Sequence, residues 1–248
     1  MTQFLRHQIF DILNRPGPLW LVDANFSGAN LQEVNLPNAN LTEAQFSGAN
    51  LEKATLTGAD MKRAVLREVK LSGANLVGAN LQWAMLKRAD CFQANLENAN
   101  LSDAELKDAI FLEADLKGAL LHKSNCGKTL FEKADMTGAD CTEAVMESAF
   151  FKNAKLTKVT FVKADLRNTD FRGALLNDAN FEDANFGSAD LRDVDLRNAN
   201  LRNANFQGAV LQNANLEGAD MTGADLRNAI MYEAKLTGAT MPDGELHE

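Results

Sequence analysis

The sequence predicts an all-β fold, a chain that coils on itself as a solenoid. Three observations predict it. A five-residue rhythm runs from Phe26 to Met241 without insertion or deletion, 44 pentads in all. Within each pentad a small and a large apolar residue flank one residue that is usually polar. Glycine recurs at one place, 12 of the 16 falling two residues after the large one.

The stretch LRNANLRNANFQGA at positions 196–209 displays the rhythm. A period of five matches neither the helix nor a plain strand. The large central position is Leu, Phe, Met or Cys in every pentad, from Phe26, Leu31 and Leu36 onward. The position two before it is Ala in 37 of 44; the exceptions are Val34, Val69, Val159, Val194, Ser124, Thr129 and Thr169, all small. The residue between them is Asn or Asp in 26 pentads. Small-in, polar-out, large-in is strand alternation, and a Gly-rich pair then supplies the bend. Each pentad therefore reads as a three-residue extended piece followed by a turn. Two inward side chains in five must be buried, and stacked coils satisfy both that demand and the backbone hydrogen bonds. Four one-pentad sides would give a 20-residue coil, although the residues alone leave the number of sides open.

GADLRNA and ENANLSDA are direct instances of A(D/N)LXX, and the match covers about 218 of the 248 residues. The chain thus resembles the pentapeptide-repeat family. The closing TMPDGELHE is similar to the end of cyanobacterial members. The resemblance implies a right-handed quadrilateral β-helix of about 11 coils, roughly 50 Å long at the usual strand spacing. It also implies a choice of roles. Some members inhibit DNA gyrase by mimicking DNA, and some cyanobacterial ones regulate cell differentiation through protein contacts.

Stepping by 20 residues defines four faces. Face 1 carries Glu43 and Asp60, face 2 Arg67 and Lys87, face 3 Glu52 and Asp90, and face 4 Asp115 and Asp135. The central column of face 3 reads Leu71, Cys91, Phe111, Phe131, Phe151, Phe171, Leu191, so four Phe rings are expected to stack. Met and Cys opposite them keep the core volume level. Cys91, Cys126 and Cys141 all fall at inward positions and read as buried free thiols, as in a reducing cytoplasm.

Residues 2–14, with Leu5, Ile9, Ile12 and Leu13 on one stripe, are expected to form an N-terminal α-helical cap, closed by Pro16-Gly17-Pro18. The domain division is 1–23 for this helix and its linker, 24–241 for the solenoid and 242–248 for a tail. An open C-terminal coil makes a homodimer through a terminal cap or edge an expected possibility.

A net charge of −9 and a pI near 4.9 argue against direct nucleic-acid binding. No signal peptide and no apolar run of membrane-spanning length is read. No catalytic, cofactor or metal motif is present, so a non-enzymatic protein is expected; the free thiols suggest the cytoplasm, and the resemblance implies a bacterial source. The outward positions hold 8 acids and 5 bases on face 1, 6 and 7 on face 2, 9 and 6 on face 3, and 6 and 5 on face 4. Copying duplex DNA over this length needs roughly 30 largely uncompensated charges. The surface is mixed, so DNA mimicry is the alternative reading and protein–protein interaction of a regulatory kind is the first.

Apolar residues in outward positions locate the candidate interface. The two rows beside each centre hold 15 of them, Pro37 aside, and eight lie on face 3: Phe92, Ile110, Leu112, Leu130, Phe150, Val210, Ile230 and Tyr232. They read either as a stabilising cross-coil ladder or as a surface for an unidentified partner protein. Substantial exposure is expected of Ile110, Leu130, Phe150, Phe92 and Leu112. A smaller group, Val65, Trp83 and Met85, lies near the adjoining corner.

Overall fold

Each pentad closes on one short hydrogen bond. The carbonyl of the central residue accepts the N–H three residues on, as Phe26 O does from Ala29 N at 3.0 Å and Leu51 O from Ala54 N at 3.0 Å. In the computed structural model, which describes residues 17–248, this turn repeats along the whole rhythm. Its third residue has positive φ in all 44 turns from Asp23 to Gly238. Twelve are glycine; at the other 32, Asn, Asp, Glu, Lys and others accept the left-handed region, which costs a side chain about 1 kcal/mol. At Gly58 the absent side chain also matters for space, because a Cβ would lie 2.4 Å from Asn38 Oδ1 in the coil below.

Successive coils meet through parallel bridges 20 residues apart, from Trp20↔Asn40 to Asp220↔Thr240. Twenty residues are four pentads, so the coil has four faces. The central N–H donates onward, as Leu31 N to Asn50 O at 2.7 Å, and the bridging residue donates back, as Asn50 N to Ala29 O at 2.9 Å. Among the described residues each face contributes one bridging residue per coil, with no longer strand and no helix. The rung is the middle residue of the expected three-residue piece, as Asn25 is between Ala24 and Phe26, and the next two residues form the turn. The capping helix expected over residues 2–14 lies outside the described residues.

The core is a filled axis. Central and small positions are essentially fully buried from Leu36 to Met221. On face 3 the rings of Phe111, Phe131, Phe151 and Phe171 stack in consecutive coils, with centroids 5.4, 5.1 and 4.7 Å apart. Polar intruders at the small inward position satisfy themselves on the backbone: Ser124 Oγ donates to Leu121 O, Thr129 Oγ1 to Leu106 O and Thr169 Oγ1 to Leu166 O. The three cysteines are buried and unpaired.

The last coil is the exception. Leu226, Met231, Leu236 and Met241 are only partly buried, because no coil follows. The tail folds back over one side, where Leu246 bridges Thr240 antiparallel and His247 N donates to Ala239 O. The N–H groups of Leu226, Met231 and Leu236 have no partner there.

Candidate partner-binding face

The ordinary outer surface is self-satisfied. An Asn or Asp in the bridging row turns its Oδ1 onto the N–H two residues on, as Asn50 does for Glu52 and Asn95 for Glu97. This local cap explains why those residue types dominate the row. Neighbouring caps also bond between coils, as Asn80 Nδ2 does to Asp60 Oδ1 at 3.1 Å. Where Arg follows two residues after Asp, it adds a clasp. Arg167, Arg192, Arg197 and Arg227 each grip Asp165, Asp190, Asp195 and Asp225 with two guanidinium nitrogens. These bonds hold the four carboxyls below the usual aspartate range. At Asp170 burial pulls upward, and the bonds from Arg172 outweigh it.

Face 3 breaks this pattern in three consecutive coils. Ile110, Leu130 and Phe150 form one bridged column. None offers an acceptor, and the N–H groups of Leu112, Glu132 and Lys152 are left without a protein partner. Phe92 and Leu112 stand beside this column in consecutive coils, as the bond from Gln93 N to Leu112 O fixes. Glu132 follows Leu112 in the same row. One of its carboxylate oxygens is buried without a hydrogen-bond partner, the sole such side-chain atom among the described residues.

The eight apolar residues do not form one stripe. Asp170 and Asp190, clasped by Arg172 and Arg192, separate the Ile110–Phe150 column from Val210 and Ile230. Uniform exposure also fails. Phe92 and Phe150 are 39% and 38% exposed, and Ile230 and Tyr232, at the thin last coil, 52% and 64%. Ile110, Leu112, Leu130 and Val210 are half-buried, because coils one strand spacing apart press outward side chains against each other. The arginine clasps were missed in the sequence, although their signal, Asp and Arg either side of one inward residue, is visible in DLR and DFR.

No described group of side chains suits a metal ion. His122 Nε2 lies 2.9 Å from Asp140 Oδ2, while Thr142 Oγ1 also donates to Asp140. The hydroxyl is thus on the carboxylate and not on the imidazole, the wrong order for activating a nucleophile. No described helix is long and apolar enough to cross a membrane.

The family model "Pentapeptide repeats" matches residues 21–58, 44–82, 84–122 and 204–241, and the model "Pentapeptide repeat region" matches 124–206. The chain belongs to the pentapeptide-repeat family. Members of the family form right-handed quadrilateral β-helices, in agreement with the four faces here. Among solved structures, HetL of the cyanobacterium Nostoc sp. strain PCC 7120, a pentapeptide-repeat protein involved in heterocyst differentiation regulation, is 31% identical. That match covers 100% of both chains, with a TM-score of 0.46. QnrB1, a plasmid-mediated fluoroquinolone resistance protein, is 21% identical over 73% of this chain and 90% of its own, with a TM-score of 0.58. Rfr23 of the cyanobacterium Cyanothece 51142 is 32% identical over 39% of this chain and 58% of its own, with a TM-score of 0.21. No curated protein matches the chain.

Proposed function

We propose that this pentapeptide-repeat protein is a non-catalytic interaction module that regulates a partner protein by binding it through the Phe92–Phe150 region of face 3. The observation that carries the reading is the loss of the Asx cap in three consecutive coils. Each loss gives up a bond worth about 1 kcal/mol net and places an apolar side chain outward instead. Local rules broken together at one place mark functional surface. The unpaired N–H groups and the orphaned Glu132 oxygen lie in the same few coils, beside apolar side chains that offer them no acceptor. A filled rod whose described residues form no catalytic arrangement acts on a partner by occupying it, which is the sense in which the role is regulatory. Reduced, buried thiols accord with a cytoplasmic setting. The interaction module is the solenoid of residues 24–241, with 242–248 as its tail. The open last coil, with its unpaired N–H groups, is where a second copy of the chain would dock.

The rival reading, a DNA-mimicking inhibitor of gyrase or another DNA-binding enzyme, requires a free acidic rail. Five aspartates in the C-terminal half, spread over faces 2, 3 and 4, are clasped by arginine, which neutralises part of the acidic charge such a rail would need. Failure to inhibit gyrase supercoiling at tens of micromolar would remove it.

The test of the main reading compares two double variants as baits for proteins of the source organism. Leu130→Asp with Phe150→Asp should lose the captured partner, because two charges would be desolvated at the interface centre. Asn75→Asp with Asn95→Asp on face 4 should keep it. Equal capture by both baits would leave the face 3 residues a stabilising ladder and nothing more.

A further inference from the structure

Face 2 carries a second departure from the capped pattern, and its chemistry differs. Val65 and Met85 occupy consecutive bridging positions between Gln45 and Glu105. Neither offers a cap, and the N–H groups of Arg67 and Lys87 have no protein partner. Beside this short apolar strip runs a row of cations, Arg67, Lys87 and Lys107. The bonds from Glu68 N to Lys87 O and from Arg88 N to Lys107 O place them in successive coils. None of the three is in an ion pair among the described residues, although the chain as a whole carries −9. Two acids of the same face are engaged elsewhere: Glu68 with Arg88, and Glu105 with the Asn125 amide in the next coil. On the other border of the strip stands Trp83, 40% exposed, with Lys62 Nζ 4.7 Å and Arg63 Cζ 5.3 Å from its ring centroid.

We infer that this strip is a docking surface for an acidic amphipathic helix of a partner protein, distinct from the face 3 surface. Three features point to one occupant. The cation row advances by one strand spacing per coil, about 10 Å in two steps. Carboxylates at i, i+4 and i+7 of a helix cover about the same distance. The bare N–H groups of Arg67 and Lys87 add neutral donors for those carboxylates. Val65, Met85 and the edge of Trp83 receive apolar side chains from the helix flank. A nucleic acid fits less well. The row is short, the remainder of the chain repels a polyanion, and Lys62 and Arg63 already cover the ring that a base would stack on.

The chain holds two tryptophans, so Trp20→Phe leaves Trp83 as the sole indole reporter. The probe is a synthetic helical peptide with Glu at i, i+4 and i+7 and Leu at i+1 and i+8. A saturable blue shift of Trp83 emission is expected at tens of micromolar peptide. The affinity should fall at least tenfold between about 50 mM and about 500 mM salt. Arg67→Glu with Lys87→Glu should abolish the shift while the circular dichroism of the fold is retained. Leu130→Asp with Phe150→Asp should leave it unchanged, which separates this surface from that on face 3. No shift, or an equal shift from the peptide with Gln in place of Glu, overturns the inference. A stronger shift from a single-stranded oligonucleotide overturns it in favour of nucleic acid.

Discussion

Two neighbouring stretches of face 3 share one interior and wear opposite exteriors. Inside, the phenylalanine stack passes without interruption from Phe131 through Phe151 to Phe171. Outside, Ile110, Leu130 and Phe150 are apolar and uncapped, whereas Asp170 and Asp190 in the same column are capped and clasped by arginine. The difference teaches that pentads write interior and exterior on alternate residues. The inward residues are constrained by volume, and the outward ones are free to vary from coil to coil. Surface chemistry here is therefore chosen almost independently of fold.

The sharpest way to break that claim uses adjacent residues. Phe131 is fully buried and Leu130 points outward. Phe131→Lys should remove cooperative folding, since a buried unpaired charge and a lost ring cost several kcal/mol. Leu130→Lys should change stability by about 1 kcal/mol or less. Denaturant titrations of the two variants decide it. Comparable losses would mean that the exterior column carries the fold as well.

A smaller, chemical version concerns the thiols. Burial pushes Cys126 up to about 12, and pushes Cys91 and Cys141 well above the ordinary thiol range. An aromatic disulfide reagent at neutral pH should label none of the three in the native protein and all three in denaturant. Rapid labelling of Cys126 in the native state would show that coils part locally on the reagent's timescale.

How far these features were legible in the sequence follows from the same separation of inside and outside. The inward phase was readable throughout, because a steric demand falls on every fifth residue. Even Cys91 and Thr129 obey it, the one as a small hydrophobe and the other by bonding to Leu106 O. The outward rows were harder. That Ile110 and Leu130 lie half-buried depends on how side chains in adjacent coils lean on each other, which periodicity does not specify. The Asx caps and arginine clasps leave a signal in the sequence, Asn or Asp before each centre and Arg after it, but that signal does not fix their geometry. They are side-chain geometries that an outward Asp or Asn permits but does not require, and it is the turn of the folded chain that brings the N–H within reach.

Converting one exterior into the other gives a subtler test. Leu130→Asp with Glu132→Arg would install, in the uncapped stretch, the clasp present at Asp190 and Arg192. The new cap and ion pair should raise the melting temperature by a few degrees or less, in line with about 0.5 kcal/mol for a well-aligned surface pair. The same change should remove partner capture through face 3. Retained capture would show that the apolar column is dispensable for binding. A large fall in melting temperature would show that the two exteriors are not interchangeable on this core.

The smallest expected effect is that of acid. Arg167, Arg192, Arg197 and Arg227 hold Asp165, Asp190, Asp195 and Asp225 below the usual aspartate range in the folded chain. In the unfolded chain these carboxyls titrate near the ordinary value of about 3.9. Their contribution to stability is therefore fully present above that value and is lost as pH falls through the folded-state values. All the clasps lie on the solvent side, so screening keeps each contribution small. Thermal melts at decreasing pH should show stability constant from neutrality to about pH 5 and declining below about pH 4. Asp190→Asn should flatten that decline slightly, and raising the salt should flatten it further. Substitutions at Ile110 or Phe150 should leave its slope untouched, because the apolar stretch has no titrating clasp to lose. An acid limb that steepened on removal of Phe150 instead would mean that the two stretches are coupled through the shared phenylalanine stack, and that the exterior is not written independently of the core.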